Sequence, residues 1–409
     1  MKEFISYLWK NGLFSQKEFK TTDGHTLQIT SHGEEIAAGH YSCTRLEVDN
    51  TPYCGDATLS TQENAQGGAD INISIKNGKG EVHFHFATQI SQKTAEEYNR
   101  MLNGHFKPPC EKIAATNCGI NTREQLTRLL AERIEEKADR ITRIYESCDK
   151  RWNDTLFKLL ARSYGFGIQG RAFEEWALLL NMQALGKHRD SIEQVEAIMF
   201  GQAGLLNEES IPTYYTNDAI ASEYYQTLVR EYKFLKSKFN LQEMQHNTWG
   251  YGSATPHLRI ARLATLFHNE RPDTTGIAEC KSIEELRNTL QSQPSSYWQH
   301  HTQFGSTLTS GTGDLSNKQL DVLIINTVVP MLYTYGKHRQ SAELCNKAED
   351  FLYGISAENN SIVRRWTQEG LCINSAADSQ ALIQLNNAYC KQHRCAECSF
   401  AHAYLKEQV

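Results

Sequence analysis

Glu81-Val82-His83-Phe84-His85-Phe86 alternates polar and apolar side chains, and soon after it comes Thr94-Ala95-Glu96-Glu97. The first stretch has a period of two and predicts a strand with one wet and one dry face. The second fits a capping box, and beyond it the apolar spacing is that of a helix almost to the end of the chain. Upstream, Thr26-Leu27-Gln28-Ile29-Thr30, Thr44-Arg45-Leu46-Glu47-Val48 and Ile71-Asn72-Ile73-Ser74-Ile75 alternate in the same way. Asp23-Gly24 and Asn77-Gly78 supply turn residues, and the second pair predicts a hairpin between two strands. An amphipathic helix over 2–13 precedes them.

Downstream, Leu126, Leu129, Leu130, Ile134, Ile141, Ile144 and Tyr145 share one face of a long charged helix starting near Asn121 and Thr122. Further helices are predicted at 155–163, 172–185, 191–200, 221–239, 258–266, 283–291, 321–335, 342–355 and 379–390. The segments 207–217, 269–277 and 303–313 read as loops. The expected fold is therefore α+β: a small N-terminal mixed β-sheet domain over 1–115, then a large all-α region over 116–409.

The composition, 40% apolar and 22% charged, belongs to a globular chain with a core. A net charge of −6 and a pI near 6.2 exclude a whole-surface grip on nucleic acid but not a local basic groove. Eleven scattered cysteines, an odd number, do not form a secreted disulfide framework, so the thiols are expected to be reduced. The N-terminal helix lacks the apolar run of a signal peptide, and Leu320–Leu332 is far shorter than the ~20 residues that span a bilayer. The expectation is a cytoplasmic protein with no membrane partner.

Four constellations could carry chemistry. Gly165-Phe166-Gly167-Ile168-Gln169-Gly170 has the spacing of a dinucleotide turn, but Leu156–Arg162 before it is helical, so the glycines are expected to end one helix and begin another. Glu81, His83 and His85 share one strand face and could hold a metal or move protons; a sheet with a wet outer face gives the same pattern. Cys390, Cys395 and Cys398, with His393 and His402 nearby, could supply three ligands to structural zinc or an iron–sulfur cluster, or be buried thiols at a helix junction. The sheet offers Asp49, Asp56, Asp70 and Glu81, with Lys76 and Lys79 nearby in sequence, yet none forms an acid-x-Lys pair on one strand. Asp378 or Ser379 is expected to cap a helix.

Taken together, Tyr7-Leu8-Trp9, Thr22-Asp23-Gly24, Pro109-Cys110-Glu111, Leu159-Leu160-Ala161-Arg162, Glu196-Ala197-Ile198-Met199-Phe200-Gly201-Gln202-Ala203-Gly204-Leu205-Leu206, Leu258-Arg259-Ile260-Ala261 and Ala377-Asp378-Ser379-Gln380 resemble the bacterial domain-of-unknown-function family 2851. The resemblance implies a front sheet whose acids are arranged in a way weakly similar to the PD-(D/E)xK nucleases. Here the corresponding text is Ala38-Gly39-His40-Tyr41-Ser42 and Gly55-Asp56-Ala57-Thr58-Leu59-Ser60, so neutral Tyr41, Thr58 and Ser60 stand where anionic oxygens are needed for a hard cation. The usual Arg-Pro-x-Asn-Phe-Pro stretch is reduced to Tyr251-Gly252-Ser253-Ala254-Thr255-Pro256, while Arg259 survives.

The function expected from this reading is a non-catalytic module that binds a nucleic acid or a protein, on a nuclease-like fold that has lost its metal ligands. Lys158, Arg162 and Arg259 are the candidate phosphate contacts; the plainer alternative is that they are helix-end or ion-pair cations. Two other readings are a metal-dependent nuclease or hydrolase using Asp56, Asp70 or Glu81 with His83, and a helical scaffold for protein assembly.

Overall fold

The computed structural model describes residues 2–14, 18–63, 69–87, 92–104, 110, 122–167, 169–249, 255–270 and 272–407. The expected boundary at 115 lies outside these residues, as do Ile168 and Tyr251-Gly252-Ser253-Ala254. The chain forms two compact units: residues 1–131 with 357–374 and 378–409, and residues 132–356 with 375–377.

The first unit is built on strands β1 (Glu18–Lys20), β2 (Thr26–Ser31), β3 (Glu34–Ala37), β4 (His40–Val48), β5 (Thr51–Glu63), β6 (Ala69–Asn77) and β7 (Gly80–Ala87). Their order is β1-β2-β4-β5-β6-β7, with β3 also on β4. Every pairing among the described strands is antiparallel, which corrects the expected mixed sheet. Short hairpin links explain this, because a parallel neighbour needs a crossover of a dozen or more residues. The β6–β7 link is the expected hairpin: Asn77 pairs with Gly80, and the Asn77 side chain accepts a hydrogen bond from the Lys79 amide at 2.9 Å.

The sheet curls until its first and last strands meet. Thr21 bridges to Phe86, the Thr22 amide donates to the His85 carbonyl at 2.8 Å, and the Phe19 and Phe86 rings lie 4.6 Å apart. Curling gathers Leu27, Leu46, Leu59, Ile71, Ile73, Ile75 and Phe86 into one dry interior. Helix α1 (Lys2–Lys10) packs Phe4, Leu8 and Trp9 there; the Trp9 indole donates to the His32 carbonyl at 2.9 Å. Alternation thus becomes function of position: one face of each strand is core, the other is surface.

In the helical unit the expected 172–185 helix is broken. Gly170–Leu179 and Met182–Lys187 are separate because Leu180 turns extended and the Asn181 side chain caps the second helix, accepting from the Ala184 amide. The expected 221–239 helix is present as Glu223–Phe239, and a separate short helix, Thr216–Ala221, precedes it across Ser222 and takes up the end of the expected 207–217 loop. Part of the expected 269–277 loop is the helix Thr274–Glu279, capped by Asp273, whose carboxylate accepts from the Thr275 and Gly276 amides at 2.9 Å. The helix expected to start at Asp378 or Ser379 begins at Ala376. Asp378 is instead a buried acceptor for the Arg123 guanidinium at 2.9 Å and the Asn374 amide at 3.1 Å.

Helix Ile192–Gln202 is the centre of the helical unit, buried continuously from Val195 to Gln202. Gly201 faces the Tyr232 ring so closely that a Cβ there would overlap it. Gly201→Ala is therefore expected to destabilise the protein by about 1–3 kcal/mol through overpacking, against the usual gain of Gly→Ala in a helix. Chemical denaturation checks this, and Gly186→Ala, where nothing lies near the new methyl group, is the control that should not destabilise.

Candidate functional site

Among the described residues, the predicted acids Asp56, Asp70 and Glu81 do not converge on one point. Asp56 pairs across β5–β6 with Lys76, and Lys76 pairs across β6–β7 with Glu81, giving an acid, base, acid row on the exposed face. His83 is exposed opposite Ser74. Asp70 lies six residues from Lys76 along β6, on the order of 20 Å away at the rise of a strand, with its carboxylate 3.6 Å from His85. Tyr41 points inward, is fully buried and donates to the Ser6 carbonyl at 3.0 Å, whereas Ser60 is exposed and Thr58 pairs with His40. Those three positions therefore do not share a face.

The three cations belong to the helical unit. Arg259 donates to the Tyr164 and Gly165 carbonyls at 3.1 and 3.3 Å and to the Gln169 side-chain oxygen, and its guanidinium lies 5.0 Å over the Phe173 ring. It thereby serves the carbonyl end of helix Trp152–Ser163, where a cation is favoured, and burial draws its pKa down to about 10. The glycine run is a helix ending, with Gly167 at φ +85°, as the sequence context required. Arg162 pairs with Glu174 at 3.2 Å, and Glu174 also takes Arg140. Lys158 is half-buried one turn earlier, close enough to Asp154 to favour its charged form.

At the C-terminus Cys390 ends a π-type turn, Leu385–Cys390, and the Cys398 amide donates to the Cys395 carbonyl at 3.1 Å across the short turn Cys395–Glu397. Burial pushes the Cys398 thiol up to about 11, and the nearby Cys390 and Cys395 push in the same direction. The His402 ring is held by the Ala396 carbonyl at 2.7 Å. Among the described residues, no three or more His, Cys, Asp or Glu side chains are placed to hold one metal ion together.

A centre that the sequence reading did not single out lies in the helical unit. Glu196, on helix Ile192–Gln202, has no exposed surface. Its two carboxyl oxygens accept hydrogen bonds at 2.7 Å from the Tyr224 and Ser295 hydroxyls, and Tyr224 in turn accepts from the Trp298 indole at 2.7 Å. Burial holds Glu196 up to about 7 although both hydroxyls favour its charged form. Trp298 is enclosed by Phe200, Phe304 and His257 at centroid distances of 5.0, 5.1 and 5.8 Å. His257 is fully shut in, and burial takes it down to about 3, so its ring is neutral. The sequence did carry a signal: Glu196 is an acid inside the apolar run from Val195 to Phe200, a setting in which a carboxylate must be partnered.

Above Glu196 is a pocket of about 310 Å³ lined by residues from three helices, Ile192–Gln202, Glu223–Phe239 and His257–His268, and by the segment around Ser295, with Tyr224 on its wall. Among the described residues no helix is long and apolar enough to cross a membrane. No curated protein and no solved structure matches the chain. Over residues 67–361, a span that leaves out β1–β5 and the C-terminal thiols, the sequence matches the family described as "Protein of unknown function (DUF2851)"; the match covers well over half of the 409 residues, and the chain belongs to that family.

Proposed function

We propose that the N-terminal sheet unit is a non-catalytic docking module for a protein partner with a basic face. The observation that carries this reading is the charge of the sheet. Residues 18–87 contain ten Asp and Glu against four Lys and Arg, a local net charge of −6. Such a surface repels a phosphate backbone, so of the two partner classes, nucleic acid and protein, it favours the second. Two further features agree. The interior that a catalytic ion would need is filled by Tyr41 and Trp9, and the acids outside are spread along the strands. Strand β3 is exposed at all four residues, with Ile36 66% exposed beside Glu34 and Glu35.

The test is a photo-crosslinking side chain placed at Ile36 in the full-length protein, expressed in its own cells. The expected product is a cross-link to a protein segment rich in Lys and Arg, lost when Glu34→Lys and Glu35→Lys are combined. Cross-linking that survives the charge reversal would remove the docking face. Cleavage of DNA or RNA by the pure protein with Mg²⁺ or Mn²⁺ would overturn the non-catalytic reading itself.

A further inference from the structure

The pocket over Glu196 is independent of the sheet and of the reading just given. Its chemistry is one-sided. Glu193, at the rim, and Glu196, at the floor, are one helical turn apart on the same face of Ile192–Gln202, and no Lys or Arg is among the residues that line the pocket. The other walls offer acceptors as well. His268 has Nδ1 2.6 Å from the Arg189 carbonyl, which can only accept, so Nδ1 carries a proton and spends it on the backbone. The Thr265 hydroxyl donates to the Ala261 carbonyl at 3.2 Å, and the Ser295 hydroxyl donates to Glu196, so each turns its oxygen lone pairs to other donors. Tyr224 contributes an aromatic ring, kept in place by stacking on Tyr297 at 4.2 Å.

We propose that this pocket binds a small organic cation, a primary ammonium group carried by a low-molecular-weight ligand. An exposed carboxyl group at the rim, a second one buried beneath it and an aromatic ring, with no Lys or Arg among the lining residues, match an ammonium in charge and cation–π attraction. The volume, about 310 Å³, is that of a site for a small ligand. A bare divalent ion fits less well, since no three such ligands among the described residues converge on one point.

Binding should be coupled to the proton on Glu196. The groups facing it are Glu193 on its own helix, Tyr224 from helix Glu223–Phe239, Ser295, and His268 across the pocket from helix His257–His268. With its pKa near 7 when the pocket is empty, Glu196 is only partly ionised at neutral pH. A bound ammonium favours the carboxylate, so the proton leaves for the buffer and affinity rises with pH.

Calorimetric titration of the full-length protein with n-butylamine, and with 1-butanol as the neutral counterpart, tests this. Saturable butylamine binding, on the order of millimolar or tighter, is expected, with none for butanol. Affinity should improve by roughly threefold or more from about pH 6 to about pH 8, with proton release seen as a buffer-dependent heat. Glu196→Gln should weaken binding by about tenfold and remove the proton release. If that variant does not fold, Glu193→Gln at the exposed rim should weaken binding by about threefold. Absence of saturable butylamine binding up to about 50 mM at the higher pH, equal binding of butanol, or unchanged affinity in a folded Glu196→Gln would each overturn the proposal.

Discussion

Trp298→Ala should lower the unfolding free energy by about 3–5 kcal/mol, the range for truncating a large buried aromatic side chain. Trp298 has no exposed surface and stands among Phe200, Phe304, Tyr297 and His257. Its removal leaves a cavity that these rings, themselves packed against one another, cannot close. It also removes the indole proton from the Tyr224 oxygen, so the hydrogen-bond chain that ends on Glu196 loses its first member. The Phe200→Ala loss should be smaller in the Trp298→Ala background than alone, because the two rings stack on each other and share the void. Urea denaturation of the two single variants and the double variant measures both effects. A loss below about 1 kcal/mol for Trp298→Ala would mean the aromatic cluster is not packed as described.

Raising the pH from about 4.5 to about 7 should weaken the fold by on the order of 3 kcal/mol through Glu196 alone. Burial lifts its folded-state pKa above the unfolded value of 4.5, so between these two values the folded chain holds a proton that the unfolded chain has released. The contribution is complete below the unfolded value and is lost as the pH climbs through the folded one. Glu196→Gln keeps the shape and an acceptor oxygen but cannot titrate, so the difference between wild-type and variant denaturation curves should slope across this window and flatten above it. A difference independent of pH would show that Glu196 does not change its proton affinity on folding.

Glu196 also shows why the site was harder to read than the fold. The alternation in β2, β4, β6 and β7 needs only neighbours in sequence, and the strands follow it. The Glu196 centre joins Glu196 to Tyr224, Ser295 and Trp298, residues whose partnership has no fixed spacing. An acid amid apolar residues announces that it needs partners but does not name them. Arg259 was legible as a cation on a helix, while its use on the Tyr164 and Gly165 carbonyls depends on where another helix ends.

By itself the chain's order of residues determined the α+β class, the hairpin at Asn77-Gly78, the wet and dry faces of the sheet and the burial of one side of Thr122–Ser147. Each is a local matter, set by side-chain period and turn chemistry within a few residues. Only the tertiary structure decided that the sheet is antiparallel throughout and curls until Thr21 meets Phe86, that Asp56 and Asp70 stay far apart, and that Glu196 lies beneath a pocket. These depend on strand register and on the packing of distant helices, and a hydrogen bond or a burial between residues far apart in sequence exists only once the chain between them has folded.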